Sequence, residues 1–204
     1  MNTSNRGVYE SASGSDSRRP RGRGFTVNEL LVVLALIAVI MGLAVPSFAR
    51  MASAAAITSG VNQFLADVRF ARSEAIRRGG GVVLCLSENP ESDLATCAPS
   101  PGAPGWATGW IVFHDRNGDG NRTTGEDLLR VHGRSAGIES IATDGTPTQL
   151  RFSAIGRLVV PGPITSLHFG APALEADIRR LVCVGPGGRA RIAGDGTASC
   201  GGGD

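Results

Sequence analysis

The chain reads as an α+β protein: one long N-terminal helix, apolar enough to cross a membrane in its first half and amphipathic in its second, packed on an antiparallel β-sheet domain. Three observations predict this. An apolar run from Phe25 to Val45 carries a single acid, Glu29. Apolar residues then recur at three- and four-residue steps from Ile57 to Ile76. Beyond Gly79-Gly80-Gly81 the pattern changes to short runs of strand-forming residues separated by Gly, Pro, Asp and Asn. A long helix followed by a series of short strands is the α+β pattern, in which helix and sheet each bury one face.

Taken in order, residues 1–17 are rich in Ser, Gly and Asn and are expected to be disordered. Arg18, Arg19, Arg21 and Arg23 follow, directly before the apolar run. By the positive-inside rule they keep the N-terminus cytoplasmic and send everything after Val45 to the far side. Phe25 to Val45 is 21 residues, a helix of roughly 30 Å, which matches a bilayer's hydrocarbon core. The run is too long for a conventional secretory signal, and no small-residue cleavage site ends it. Glu29 is the anomaly, because a carboxylate in lipid is costly and asks for a partner or a function.

The second half of the helix, residues 46–78, begins at Pro46, where a bend is expected. Ile57, Val61, Phe64, Leu65, Val68, Ala71, Ala75 and Ile76 form its apolar face, with Asn62, Asp67, Arg69, Arg72 and Arg77 on the others. The three glycines stop it. Residues 79–204 then form the β domain, with strands expected at 82–86, 109–113, 127–131, 149–152, 164–169 and 180–184, and a weaker one at 189–192.

All 20 basic residues are Arg. Residues 1–24 hold five of them against Glu10 and Asp16; the remaining 180 residues hold 15 against 16 acids and sit near −1. Net charge therefore announces no nucleic-acid binder, and such a function has to rest on a local patch. Cys85, Cys97, Cys183 and Cys200 make an even count in a domain placed in an oxidising space, which favours disulfides. Sequence proximity favours Cys85–Cys97 and Cys183–Cys200, each loop stabilised by about 3 kcal/mol. No C-x-x-C or H-x-x-x-H spacing supports zinc, and His114, His132 and His168 are scattered. No nucleophile elbow, phosphate loop or metalloprotease helix occurs, so an enzyme is not expected.

One loop matches a chemical template. Asp115 to Glu126 fits D-x-[DN]-x-[DN]-G-x₅-E over twelve residues, with Asp115, Asn117, Asp119 and Glu126 as candidate calcium ligands. Strand-like flanks and Arg122 within the loop speak for the other reading, an Asp/Asn/Gly hairpin connection. The C-terminal region holds the remaining local feature, Arg179-Arg180 and Gly188-Arg189-Ala190-Arg191. Arginines at alternate positions of a glycine-flexed loop can offer guanidinium groups to successive phosphates without base specificity. The plain alternative is a last strand with Arg189 and Arg191 to solvent and Ala190 and Ile192 inward.

Arg18-Arg19-Pro20-Arg21-Gly22-Arg23-Gly24-Phe25-Thr26-Val27-Asn28-Glu29 resembles the N-terminus of type IV pilins and type II secretion pseudopilins. The resemblance implies that prepilin peptidase removes residues 1–24 as a leader, cutting between Gly24 and Phe25, and that Phe25 is N-methylated. Glu29 then stands fifth and Pro46 twenty-second in the mature chain. In a filament Glu29 would pair with the α-amino group of a neighbouring Phe25, so that neither charge is left isolated. The block from Phe70 to Arg78 is similar to the "ARSEAIKR" segment of the FimT/GspH family, and Cys85, Trp106 and Gly109 to Asp115 fit its "C…W..GW.vF.D" pattern.

The resemblance implies a minor pilin or pseudopilin of a bacterial type IV pilus or type II secretion filament. Such a subunit acts in filament priming and assembly, anchored once in the inner membrane with its domain periplasmic, and no cofactor is required. Its partners would be prepilin peptidase, other pilins and the membrane. FimT-like minor pilins include members linked to DNA uptake in natural transformation, whose "GRxR" segment Gly188 to Arg191 fits. That gives the alternative function, a DNA-binding minor pilin using Arg189 and Arg191 with Arg179 and Arg180 nearby.

Overall fold

The computed structural model describes residues 24–160, 165–171 and 174–201. The chain divides into two units, Met1–Leu43 and Ala44–Asp204. In the described part of the first, helix α1 (Val27–Arg78) opens with a run of exposed apolar side chains, Leu30 to Leu34 and Leu36 to Met41 among them. It is long and apolar enough to cross a membrane. Thr26 caps it, its Oγ1 accepting the Glu29 N–H at 3.2 Å. Thr26 and Glu29 thus have the spacing of a capping box, and an acid in the first turn also suits the positive end of the helix dipole. The other end closes as the glycines predict. Gly79 takes φ 80°, and the Gly80 N–H reaches back to the Ala75 carbonyl at 2.8 Å, a Schellman closure beneath Arg77 and Arg78.

In the second unit two antiparallel sheets share one core with α1. The first sheet has the order β3 (Leu128–His132), β2 (Trp110–His114), β1 (Val82–Leu86), β5 (Gln149–Phe152), β6 (Leu158–Val160). The second runs β4 (Ile141–Thr143), β7 (Thr165–Phe169), β8 (Arg180–Val184), β9 (Ala190–Gly194). The sequence pattern missed β4 and β6, which are three residues each, too short for a period-two signal.

Strand β1 shows why its sequence is uniformly apolar. Val82, Leu84 and Leu86 face the core shared with α1, while Val83 and Cys85 join Ile111, Phe113 and Ala95 in a second cluster. Both faces of the strand are covered, so no polar residue alternates. Cys85 is bonded to Cys97, tying the 87–97 segment to that second face, and Cys183 is bonded to Cys200. Both pairings follow sequence proximity.

On α1, Ile57, Val61, Phe64, Leu65, Val68, Ala71 and Ala75 are buried as the spacing predicts. Two residues depart from it. Ile76 is 51% exposed, and Asp67, expected on a polar face, is only 2% exposed. Asp67 docks the helix: it accepts from Trp110 Nε1 at 2.9 Å and Gln63 Nε2 at 3.2 Å, and pairs with Arg130 at 2.8 Å. Arg130 lies 3.9 Å above the Phe70 ring, and Trp110 stacks on His132 at 4.0 Å. Burial pushes the His132 imidazole down, against the pull of Asp67.

Phe64 is the centre of the packing. Its ring meets Trp106, Trp110 and Phe169 edge to face at 5.8, 5.4 and 5.8 Å. Such pairs contribute about 0.5–1.5 kcal/mol each beyond burial. Phe64→Ala should therefore destabilise the domain by about 3–5 kcal/mol. Denaturant unfolding followed by tryptophan fluorescence checks this, and a loss below about 1 kcal/mol would mean that the site collapses around the change.

Candidate functional site

Three regions hold the residues that the sequence singles out. At the N-terminus, Gly24, Phe25 and Thr26 precede the helix, Phe25 is exposed, and Glu29 sits in the first turn. Residues 1–23, the bulk of the expected leader, lie outside the described residues. Pro46 lies within α1.

The second region is the loop from Asp115 to Glu126. Asp115, its side chain fully buried, accepts the N–H of Gly118 at 2.7 Å on Oδ1 and of Gly120 at 2.9 Å on Oδ2. Arg151, from β5, adds a contact to Oδ2 at 3.2 Å. The Glu126 carboxylate accepts from the Arg116 and Thr123 N–H groups, each at 2.8 Å. Burial pushes the Glu126 carboxyl up, and these N–H groups outweigh it and hold it below the usual range. Asn117 and Asp119 bond each other at 2.9 Å and are exposed. Arg122 points away, its Nη1 donating to the Ala95 carbonyl at 3.0 Å. Among the described residues no group of three or more His, Cys, Asp or Glu is placed to hold a metal. Arg151 was not foreseen, because nothing local marks a residue 36 positions from Asp115 as its partner.

The third region is a groove of about 840 Å³ between the β5–β6 turn and the β8–β9 hairpin. Arg189 and Arg191 line it together with Arg72 and Arg157. It adjoins a second hollow of about 450 Å³ that Arg69 also lines. The hairpin is held close by Gly188, at φ 70°, where any Cβ would strike the Gly156 carbonyl. Ala190 packs on the core, whereas Ile192 is 47% exposed rather than inward, the register of β8 and β9 shifting at Leu181/Val182. Arg179 and Arg180 do not join Arg189 and Arg191. They stand at the opposite end of β8, where Arg180 donates to the carbonyls of Asp177 and Arg179, and Arg179 packs beneath Gly196.

A membrane-length helix whose second half is the spine of an antiparallel two-sheet domain defines the class of type IV pilin-like subunits. The family model described as "Type II transport protein GspH" matches residues 60–188, well over half of the chain, and the chain belongs to that family. The match ends one residue before Arg189. A crystal structure of the Pseudomonas aeruginosa type IV minor pilin FimU is similar in fold, with TM-score 0.52 and 17% identity over 72% of this chain and 94% of that one. A second crystal form of the same pilin gives TM-score 0.49 and 18% identity over 71% and 98%. No curated protein sequence matches the chain.

An acid-sensitive ion cluster closes the far end of α1. Hydrogen bonds from Arg77 and Arg78 pull the Glu74 carboxyl down to about 2, and Arg78 and Arg116 hold Asp127 below the usual range. Lowered carboxyl pKa values contribute stability above the unfolded values and lose it as pH falls through the folded ones. The melting temperature at low salt should therefore hold from pH 7 to about 5 and fall between about 4.5 and 2. Replacing Arg77 and Arg78 by Ala should lower the melting temperature at neutral pH and shrink that fall, because a Glu74 carboxyl with its ordinary pKa gains nothing on folding, and an unchanged profile would remove the cluster from the account.

Proposed function

We propose that the chain is a minor pilin or pseudopilin subunit that acts in priming or assembling a type IV pilus or type II secretion filament. The observation that carries this reading is the apolar first half of α1, its large apolar side chains from Leu30 to Leu34 and Leu36 to Met41 exposed and headed by Glu29, in a chain of the GspH family. In this reading prepilin peptidase cuts between Gly24 and Phe25, Phe25 is methylated, and residues 25–45 anchor the subunit in the inner membrane with the β domain periplasmic. In the filament the same apolar surface packs against other pilins, and Glu29 pairs with a neighbour's Phe25 amino group. The chain does no chemistry of its own.

The cap bond uses the Glu29 backbone N–H and survives any substitution there, so two variants test the side chain and its charge. Gln keeps the size of the side chain and removes the charge. Glu29→Ala and Glu29→Gln should both be processed and inserted yet be missing from sheared filaments, as judged by immunoblot and intact mass. A Gln variant that incorporates normally would remove the charge pair from the account of assembly, and a protein retaining residues 1–24 would overturn the pilin reading.

We read the Asp115–Glu126 loop as a turn clamped by its own N–H groups and Arg151 rather than as a calcium site. The positive Arg151 guanidinium occupies a face of the buried Asp115 carboxylate that a cation would need. Millimolar calcium should leave the melting temperature unchanged, whereas Arg151→Ala should cost about 1–3 kcal/mol. A rise of several degrees with calcium would restore the metal reading.

One observation favours a second function, DNA capture during uptake: Arg189 and Arg191 are exposed on a groove with no acid among its described lining residues. Replacing both by Ala should abolish salt-sensitive binding of DNA by the detergent-solubilised chain, measured by fluorescence anisotropy. Binding that survives in the double variant would move the site elsewhere.

A further inference from the structure

We propose that the groove is a two-walled seat for the backbone of double-stranded DNA, with Arg69 and Arg72 of α1 and Arg157 of the β5–β6 turn facing the phosphates alongside Arg189 and Arg191. The proposal rests on the DNA-capture reading and extends it to three arginines that lie far from the C-terminal segment in sequence.

The two hollows share Arg72, Arg189 and Ala190, so they form one continuous trough. No Asp or Glu lines either of them among the described residues. Six arginines elsewhere are paired: Arg50, Arg77, Arg78, Arg116, Arg130 and Arg151 each lie within 3.2 Å of a carboxylate, while Arg122 and Arg180 donate to carbonyl oxygens and are not gathered with others in a hollow. At the trough, Arg69, Arg157 and Arg189 have no carboxylate partner among the described residues, and Arg72 donates through Nε to the Gly156 carbonyl at 3.0 Å, which leaves its charge uncancelled. The mature chain is close to neutral overall. A concave surface that concentrates uncompensated guanidinium groups on such a chain focuses positive potential and selects a polyanion.

The lining also selects the form of the ligand. Glycines, Pro186, Ala190, Cys183, Ser73, Ile76 and Ile155 supply the rest of the trough, and no aromatic ring or histidine lines it among the described residues. Single-strand binders rely on aromatic platforms for base stacking. This trough offers contacts to phosphates alone, which position a duplex without reading its sequence.

The test uses the detergent-solubilised full chain and a labelled duplex of mixed sequence, with binding titrated across salt concentrations. Arg69→Glu with Arg157→Glu is the informative variant, since both side chains are exposed and neither holds a carboxylate, and thermal melting confirms its fold. It should weaken binding at low salt by about tenfold or more and flatten the slope of log affinity against log salt by about 2, since each lost phosphate contact removes about 0.9. Arg134→Glu, exposed beside Glu88 and Glu91 at a separate hollow, should bind as the parent does. A single strand of the same length should bind no more tightly than the duplex.

If R69E/R157E binds normally while R189A/R191A fails, the two-walled seat is overturned and DNA capture rests on β9 alone. An equal loss in R134E reduces the effect to net charge, and a single strand held at least tenfold more tightly overturns the duplex assignment. No binding by the parent chain at low salt overturns both the seat and the DNA reading.

Discussion

The docking of α1 onto the two sheets through Phe64 and Asp67 is the constraint on which the domain depends. Phe64 supplies apolar area and three edge-to-face contacts, which set how deeply the helix sinks between β2 and β7. Asp67 supplies direction. A carboxylate buried to 2% is stable only where donors wait for it, and Trp110 and Arg130 offer theirs at one rotation and one height of the helix. An apolar face alone tolerates sliding by a turn, whereas a buried acid with fixed donors does not. The register of α1 is thus set by one polar residue inside an apolar seam.

The use of arginine as the sole basic residue bears on this economy. Guanidinium groups form planar, multidentate contacts and remain charged when partly buried. The chain uses them as internal ties at Arg130 and Arg151, where each meets a carboxylate nearly removed from water. It also uses them as ties at the end of α1, through Arg78 to Glu74 and Asp127. Arg69, Arg72, Arg157 and Arg189 are spent differently, gathered where the two hairpins approach and left without carboxylates. Composition alone does not separate these uses, because the same residue type serves both.

The fold was largely legible in the sequence because its signals are local. The apolar run, the three- and four-residue spacing on α1 and the Gly79–Gly81 stop each concern neighbours within a turn or two. The strands fell where short apolar runs met turn residues, and the cysteines paired with their nearest partners. What escaped was long-range or very short. Asp67 looked like a surface residue since its partners lie 43 and 63 positions away. Arg72, expected on a polar face, is half-buried, and its partner, the Gly156 carbonyl, lies 84 positions away. The candidate arginine set was chosen by proximity along the chain, and β8 carries Arg180 to the opposite end of the strand from the hairpin that presents Arg189. The Thr26–Glu29 capping spacing was the signal available and unread.

That cap has a consequence for proteolytic access. Because Thr26 is the residue at which helical hydrogen bonding starts, the Gly24–Phe25 bond lies outside the helix, in backbone with no regular secondary structure. Proteases bind their substrates as extended strands, so a helix that began a turn earlier would have to unwind before it could be cut. Here the Gly24–Phe25 peptide stands outside the helix, which is shut immediately behind it. The same hydroxyl that starts α1 fixes the boundary up to which the chain is not helical, and a cut within α1 would require the helix to open first.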